Sequence, residues 1–457
     1  MSNIRPANVD LSPQQFRIFN FSLNYSRKSM SETLFDAIVV GAGYSGLSAS
    51  YHLRKYGLNH IVFERGKIGE SWRSQRWDSF RFNSTNKLNV LPGEDCKTDP
   101  DRFGYVGPFI SSLEKYVEKH QLPVLENSKV IAIDKPGTNF KVIVLSDGIE
   151  KNYYSKQILI ASGVANEIKI PSLAKNIPQP IMQLHTGEYK NADQLLPGAV
   201  LVVGGAQSGI QIAEDLVNAG RKVYLSTSEV GRIPRWYRGK DIFYWVKELK
   251  LYEVRAEDIK DPKLLDLRPP HVAGTSLSGR DSLSLQSLAK RGAIVLGKMN
   301  NADEENVFFE NNAAAHVKFA DEFSDKIKKI IDDHIATNNL PAPPPHYDEA
   351  DLPDVEADCA SSIIRLNLKE NNINSIIWAT GFDVDHSYIK LPVFDDKGKL
   401  KHKHGIPELP GLYFLGYPWL RNRQSPILFG IIEDVEFVID KLYSYSKENF
   451  PSTPIGV

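Results

Sequence analysis

Cysteine is nearly missing from this 457-residue chain, which has only Cys96 and Cys359. They form no C-x-x-C pair, zinc-type spacing or disulfide framework, so a dithiol relay is excluded and nothing indicates secretion. No apolar run reaches the about 18 residues that suggest a membrane span, and the N-terminus lacks the apolar stretch of a signal peptide. A surplus of one charge is also absent: 55 Lys plus Arg stand against 56 Asp plus Glu, for a formal net charge of −1. That balance removes the footprint of a nucleic-acid binder and any general attraction to anionic membranes. What is present, 42% hydrophobic and 24% charged residues, suits a globular chain of two or three domains. The expectation is a soluble, cytoplasmic protein with no metal site, no nucleic-acid partner and no transmembrane segment. A homodimer is compatible with all of this.

Residues 1–29 are polar, with Pro6, Pro13 and scattered aromatics, and show no sustained periodicity. They read as a loosely attached extension rather than a docking arm. Two similar β-turn-α-β units follow. The first has a strand at 35–40, a Gly-rich turn at 41–46, a helix to Tyr56, Gly57 as stop, and a strand at 60–64. The second has a strand at 199–203, a turn at 204–209, a helix to Ala219, Gly220 as stop, and a strand at 222–226. Between them, 129–134 and 140–145 read as hairpin strands and 157–161 as a buried strand. From about 240 to 355 the pattern is irregular. Phe323, Ile327, Ile330, Ile331 and Ile335 recur there at helical spacing, which points to core packing. The run Pro341-Ala342-Pro343-Pro344-Pro345 marks a linker or lid connection. Stretches 375–379 and 411–416 look like returning strands, and 427–442 like a closing helix.

The first turn is a complete G-x-G-x-x-G, Gly41-Ala42-Gly43-Tyr44-Ser45-Gly46, placed after an apolar strand and opening a helix. Its glycines permit a tight turn and a close approach to a pyrophosphate, and the helix N-terminus supplies amide donors. Glu64 ends the next strand, where a carboxylate suits a ribose, with Arg65 beside it. The second turn, Gly204-Gly205-Ala206-Gln207-Ser208-Gly209, has Ala206 at the middle glycine position. Its following strand ends at Ser226-Thr227-Ser228 with no acid, and Arg232 and Arg235 come soon after. Loss of the acid beside arginines favours a 2′-phosphate. Two dinucleotide sites imply two cofactors, most simply FAD on the first turn and NADP(H) on the second. The expected fold is α/β, with two Rossmann-like dinucleotide-binding domains, the second inserted in the first. Its divisions fall at 1–29, 30–165, 166–355 (with an irregular, partly helical insertion from about 240) and 356–457.

Several ordered motifs resemble those of class B flavoprotein monooxygenases, the flavin-containing and Baeyer–Villiger-type enzymes, over roughly residues 35 to 440. Gly69-Glu70-Ser71-Trp72 is similar to their G-G-x-W element, with Glu70 in place of the second glycine. Arg81-Phe82-Asn83-Ser84 resembles the R-x-N-S/T segment. His185-Thr186-Gly187-Glu188-Tyr189 resembles the end of the fingerprint F-x-G-x-x-x-H-x-x-x-F/Y/W, although Gln179 and Ile181 stand at its Phe and Gly positions. Ala379-Thr380-Gly381-Phe382 matches the A-T-G-F/Y linker, and Pro410 to Gly416 resembles the late strand that closes the flavin site.

The resemblance implies that Ser71 and Trp72 flank FAD, that Thr380 and Gly381 lie at the flavin-side linker, and that His185 and Tyr189 organise the linker. It also implies an NADPH-dependent enzyme in which reduced flavin adds O2 to give a C4a-(hydro)peroxyflavin, with Asn83 as the catalytic hydrogen-bond donor. One oxygen atom then passes to a small organic substrate. N- or S-oxygenation is favoured over Baeyer–Villiger insertion, because the fingerprint ends in Tyr189 rather than tryptophan. Two alternatives stand beside this: a flavoprotein NADPH oxidase or reductase, and a non-catalytic FAD/NADP-binding redox sensor.

Overall fold

The computed structural model describes residues 33–165, 167–261, 265, 269–275, 279–356 and 358–450, so the extension at 1–29 lies outside the described residues. The fold is mixed α/β, built on two parallel five-stranded sheets. The first runs in the order Leu412–Phe414, Ile158–Ile160, Ala37–Val40, His60–Phe63, Val124–Leu125. The second runs Met182–His185, Ile373–Trp378, Ala199–Val203, Val223–Ser226, Ile294–Leu296.

The central strands are apolar throughout because both faces are covered, as parallel sheets require. Ala37 and Val39 face one core while Ile38 and Val40 face another. In the second sheet Val200 and Val202 join the first of these cores, and Ala199, Leu201 and Val203 turn to a separate cluster. One hydrophobic core therefore runs under both Gly-rich helices, Tyr44–Lys55 and Gln207–Asn218.

The expected hairpin is present as Ser128–Asp134 paired antiparallel with Phe140–Ser146, and a third strand, Ile149–Ser155, extends it. The closing helix runs longer than its pattern, Leu428–Asn449. The residues read as core in the irregular region lie on the helix Ala313–Thr337, where Ile331 is buried against Ile233, Tyr237, Phe243 and Trp245.

The expected boundary at 355/356 falls too early. Ile373–Trp378 pairs with both Ala199–Val203 and Met182–His185, so the second sheet keeps the chain until Trp378. The short strands Glu167–Ile168 and Phe382–Asp383, at the exit and the return, pair antiparallel. The strand itself is apolar and legible at 375–379, but the mixed polarity of 356–372 before it does not show which sheet it joins.

Candidate active site

The two Gly-rich turns are superimposable in backbone terms. Gly43 caps the first helix at φ −83°, ψ −172°, and Ala206 caps the second at φ −83°, ψ −171°. Neither cap uses a side chain, so the first-turn amides of both helices remain available to an anion. The flanking glycines are obligatory for a packing reason. A methyl group on Gly41 would lie 2.6 Å from the Ala161 carbonyl oxygen, and one on Gly46 only 1.9 Å from the Gly41 oxygen. Gly204 and Gly209 repeat this against Ala379 and Gly204. At Gly43 a methyl group would meet no protein atom within 4 Å. Its small size is not needed by the fold, which is what a pyrophosphate cradle would show.

Glu64 is buried at the end of its strand, accepting from the Ala42 amide at 2.7 Å and the Gly66 amide at 3.1 Å. Burial raises its pKa despite both hydrogen bonds. Arg65 beside it is exposed. The Gly69 amide donates to the Ala42 carbonyl at 3.0 Å, which seats the helix Glu70–Ser74, with Ser71 and Trp72, against the first turn. Glu70 serves in place of a glycine by accepting from the Lys67 amide. From the other side Gly416 approaches Ser45 so closely that a methyl group there would lie 2.7 Å from the hydroxyl.

An aromatic cluster leads from the first turn to Asn83. Tyr44 stacks on Phe109, which meets Phe82 at 4.6 Å and Trp72 at 5.3 Å between ring centres. Burial pushes the Tyr44 phenol well above its usual pKa, and its hydroxyl donates to the Val90 carbonyl. Asn83 follows Phe82 in the strand Arg81–Thr85. Its side-chain oxygen accepts from Gln211 of the second Gly-rich helix at 3.4 Å. Among the described residues its Nδ2 hydrogens have no protein acceptor, so the amide presents a free donor edge. Gln211 was not singled out from the sequence. It lies one helical turn beyond Gln207, on the same face, and that spacing is the only sequence signal for it.

Several expected site residues occupy other roles. Arg232, 1% exposed, is paired with Asp321 at 2.6 Å and with Asp351, deep under the helix Ala313–Thr337. Arg235, also 1% exposed, is paired with Asp241, donates to the carbonyls of Asn83 and Val272, and lies over the Phe103 ring at 4.2 Å. Neither guanidinium can turn to a 2′-phosphate without stranding a buried carboxylate, so the sequence-based assignment of that role is corrected. The Ser226 hydroxyl is likewise engaged, donating to Gly297 and accepting from Met299. Gln207 accepts from the Val272 amide, while Ser208 is partly exposed in the first helical turn. Thr380 donates to the Lys169 carbonyl and Gly381 adopts φ +88°, so both shape the crossing.

His185 is fully buried, its Nε2 2.8 Å from the Gly381 carbonyl, and Tyr189 donates to Asp215 of the second Gly-rich helix at 2.6 Å. Both are linker residues by position. Cys96 and Cys359 are free thiols, so no disulfide lies at the site.

The arrangement is two Gly-rich strand-turn-helix units, each with helix amides open to an anion. A family model described as pyridine nucleotide-disulphide oxidoreductase matches residues 38–258. The fold is shared with a flavin-containing monooxygenase from Stenotrophomonas maltophilia, at TM-score 0.60 and 18% identity, covering 90% of this chain and 98% of that one. A structure titled as OTEMO in complex with FAD and NADP matches at TM-score 0.51 and 14% identity, covering 91% and 86%. An uncharacterized CzcO-like oxidoreductase of Geobacillus kaustophilus is 30% identical over 415 residues, 90% of this chain and 99% of that protein. The chain belongs to this CzcO-like oxidoreductase family.

Proposed function

We propose that the protein is an NADPH-dependent FAD monooxygenase that passes one atom of O2 to a small organic acceptor, with N- or S-oxygenation ahead of Baeyer–Villiger insertion. The observation that carries this is Asn83, whose amide oxygen accepts from Gln211 of the second Gly-rich helix and whose neighbour Phe82 packs through Phe109 on Tyr44 of the first. In this reading the unit ending at the crossing near Gly381 is a nicotinamide-dinucleotide domain inserted in a flavin domain, and the protein is cytoplasmic.

The open cradle at Gly43 and the buried Glu64 carboxylate fit the diphosphate and ribose of FAD. The turn at 204–209 would hold NADP(H), and Ser226-Thr227-Ser228 offers no carboxylate to repel a 2′-phosphate. When bound, the flavin accepts a hydride from the nicotinamide and activates O2. Asn83 donates from Nδ2 toward the reacting oxygen, and an amide keeps that donor at every working pH. Gln211 holds the amide oxygen and so fixes which edge of Asn83 faces the site. Trp72, Phe82 and Phe109 wall the strand on one side and exclude water.

The test is anaerobic. Purified yellow protein should release FAD, not FMN, on heating, and NADPH should bleach the bound flavin faster than NADH. Release of FMN, or a flavin that neither nucleotide reduces, would remove the proposal.

A further inference from the structure

A solvent-open cleft lies near the end of the strand that carries Asn83. It measures about 760 Å3, within the usual range for a small-molecule site. Thr85, at the end of the Asn83 strand, is in its wall. So is Asp241, which Arg235 ties to the Asn83 carbonyl through its two guanidinium nitrogens. The buried arginine therefore clamps the cavity wall to the strand that carries Asn83.

The lining is biased in charge. Of its acids, Asp101 is paired with Lys87 at 2.7 Å and Asp241 with Arg235, which leaves Glu248. Lys240, Lys247 and Lys250 have no carboxylate within ion-pair distance among the described residues. Lys240 instead lies 5.1 Å from the Tyr244 ring centre, and Arg280 lies 4.8 Å from that of Trp236. Cations held against aromatic faces are fixed in place beside an apolar surface. Among the described residues the Thr85 hydroxyl, fully buried in the wall, has no hydrogen-bond partner. A buried polar group left unpaired is costly, and such groups usually have an explanation at a functional site.

We propose that this cavity is the acceptor site, and that its ligand is a small organic anion, a carboxylate or phosphate on an aromatic or apolar body. The anion meets Lys240 and Lys247, and the body lies along Trp236 and Tyr244. The word acceptor rests on the monooxygenase proposal, but the binding does not.

The test therefore uses binding without turnover. Isothermal titration of the oxidised, FAD-loaded protein would compare 3-phenylpropanoate, 3-phenylpropanamide and 3-phenylpropylamine, which share one body and differ in charge. The carboxylate should bind at least about tenfold tighter than the other two and weaken with salt. The double variant Lys240→Ala, Lys247→Ala, at two exposed positions, should lose about tenfold for the carboxylate and little for the amide. Lys240→Arg with Lys247→Arg should retain it. Equal binding of the three probes would overturn the proposal. So would a double variant that loses NADPH affinity in place of carboxylate affinity, since the charges would then serve the nucleotide. Carboxylate binding without later oxygenation would keep the anion site and count against the monooxygenase instead.

Discussion

His185 and Gly381 tie the end of the strand Met182–His185 to the return crossing through one hydrogen bond of 2.8 Å. The His185 Nδ1 accepts from the Gly187 amide at 3.1 Å, so the proton sits on Nε2 and is donated to the Gly381 carbonyl. Burial lowers the histidine pKa and keeps the ring neutral. His185→Ala should cost about 1–3 kcal/mol in urea unfolding, because it removes this hydrogen bond and empties the space of a fully buried ring. It should also slow flavin reduction by NADPH while flavin content stays near wild type.

The first turn gives a contrast between two glycines. Gly46→Ala should fail to fold, since its methyl group would overlap the Gly41 carbonyl. The Cβ of Gly43→Val would meet no protein atom within 4 Å and the position sits at φ −83°, so the variant should fold normally yet lose flavin. Circular dichroism and absorbance near the flavin band separate the two outcomes.

Removing Arg232 should act on stability rather than coenzyme choice. Arg232→Ala leaves Asp321 buried without a cation and Asp351 with Lys328 alone, at a cost of about 3–5 kcal/mol. The NADPH-over-NADH ratio of kcat/KM for the folded protein should be unchanged. A collapse of that ratio with unchanged melting would return the arginine to the phosphate role.

Acid should destabilise the protein through neutral buried histidines. His60 donates from Nδ1 to the Leu58 carbonyl and accepts from Ser50 at Nε2, and burial lowers its pKa to about 4. His271 is lowered to about 3 by burial and by Arg232. The unfolded chain binds these protons below about pH 6.5 and the folded one resists, so stability falls as pH drops from about 6.5 toward 4. His60 alone should contribute on the order of 3 kcal/mol across that window. His60→Gln should flatten this slope in unfolding measured at stepped pH.

Much of this site is local in sequence and therefore legible there. The glycines at 41, 46, 204 and 209 are fixed by contacts within a single turn or with the neighbouring strand, and the strand-turn-helix pattern announces them. Asn83 and His185 stand in short motifs of the same kind. The arginines show where such reading ends. Arg232 is answered by Asp321 and Asp351, some ninety and more residues later, and no spacing rule foretells that partnership. The same distance hides which sheet Ile373–Trp378 joins, since that depends on pairing with Ala199–Val203. Gln211 is hidden for a different reason: a glutamine on a helix face has no chemistry of its own until Asn83 is brought against it.

The most direct measurement is the reaction of the NADPH-reduced, FAD-loaded protein with an oxygen pulse, followed by stopped-flow absorbance and a peroxide assay. A monooxygenase with Asn83 as donor should return to oxidised flavin slowly and in separable phases. Asn83→Ala should keep flavin content and the NADPH reduction rate. The same variant should speed reoxidation by about 10²–10³ and release close to one H2O2 per NADPH. A wild-type protein that reoxidises in one fast phase with full peroxide release, unchanged by Asn83→Ala, would contradict oxygen transfer and leave an oxidase.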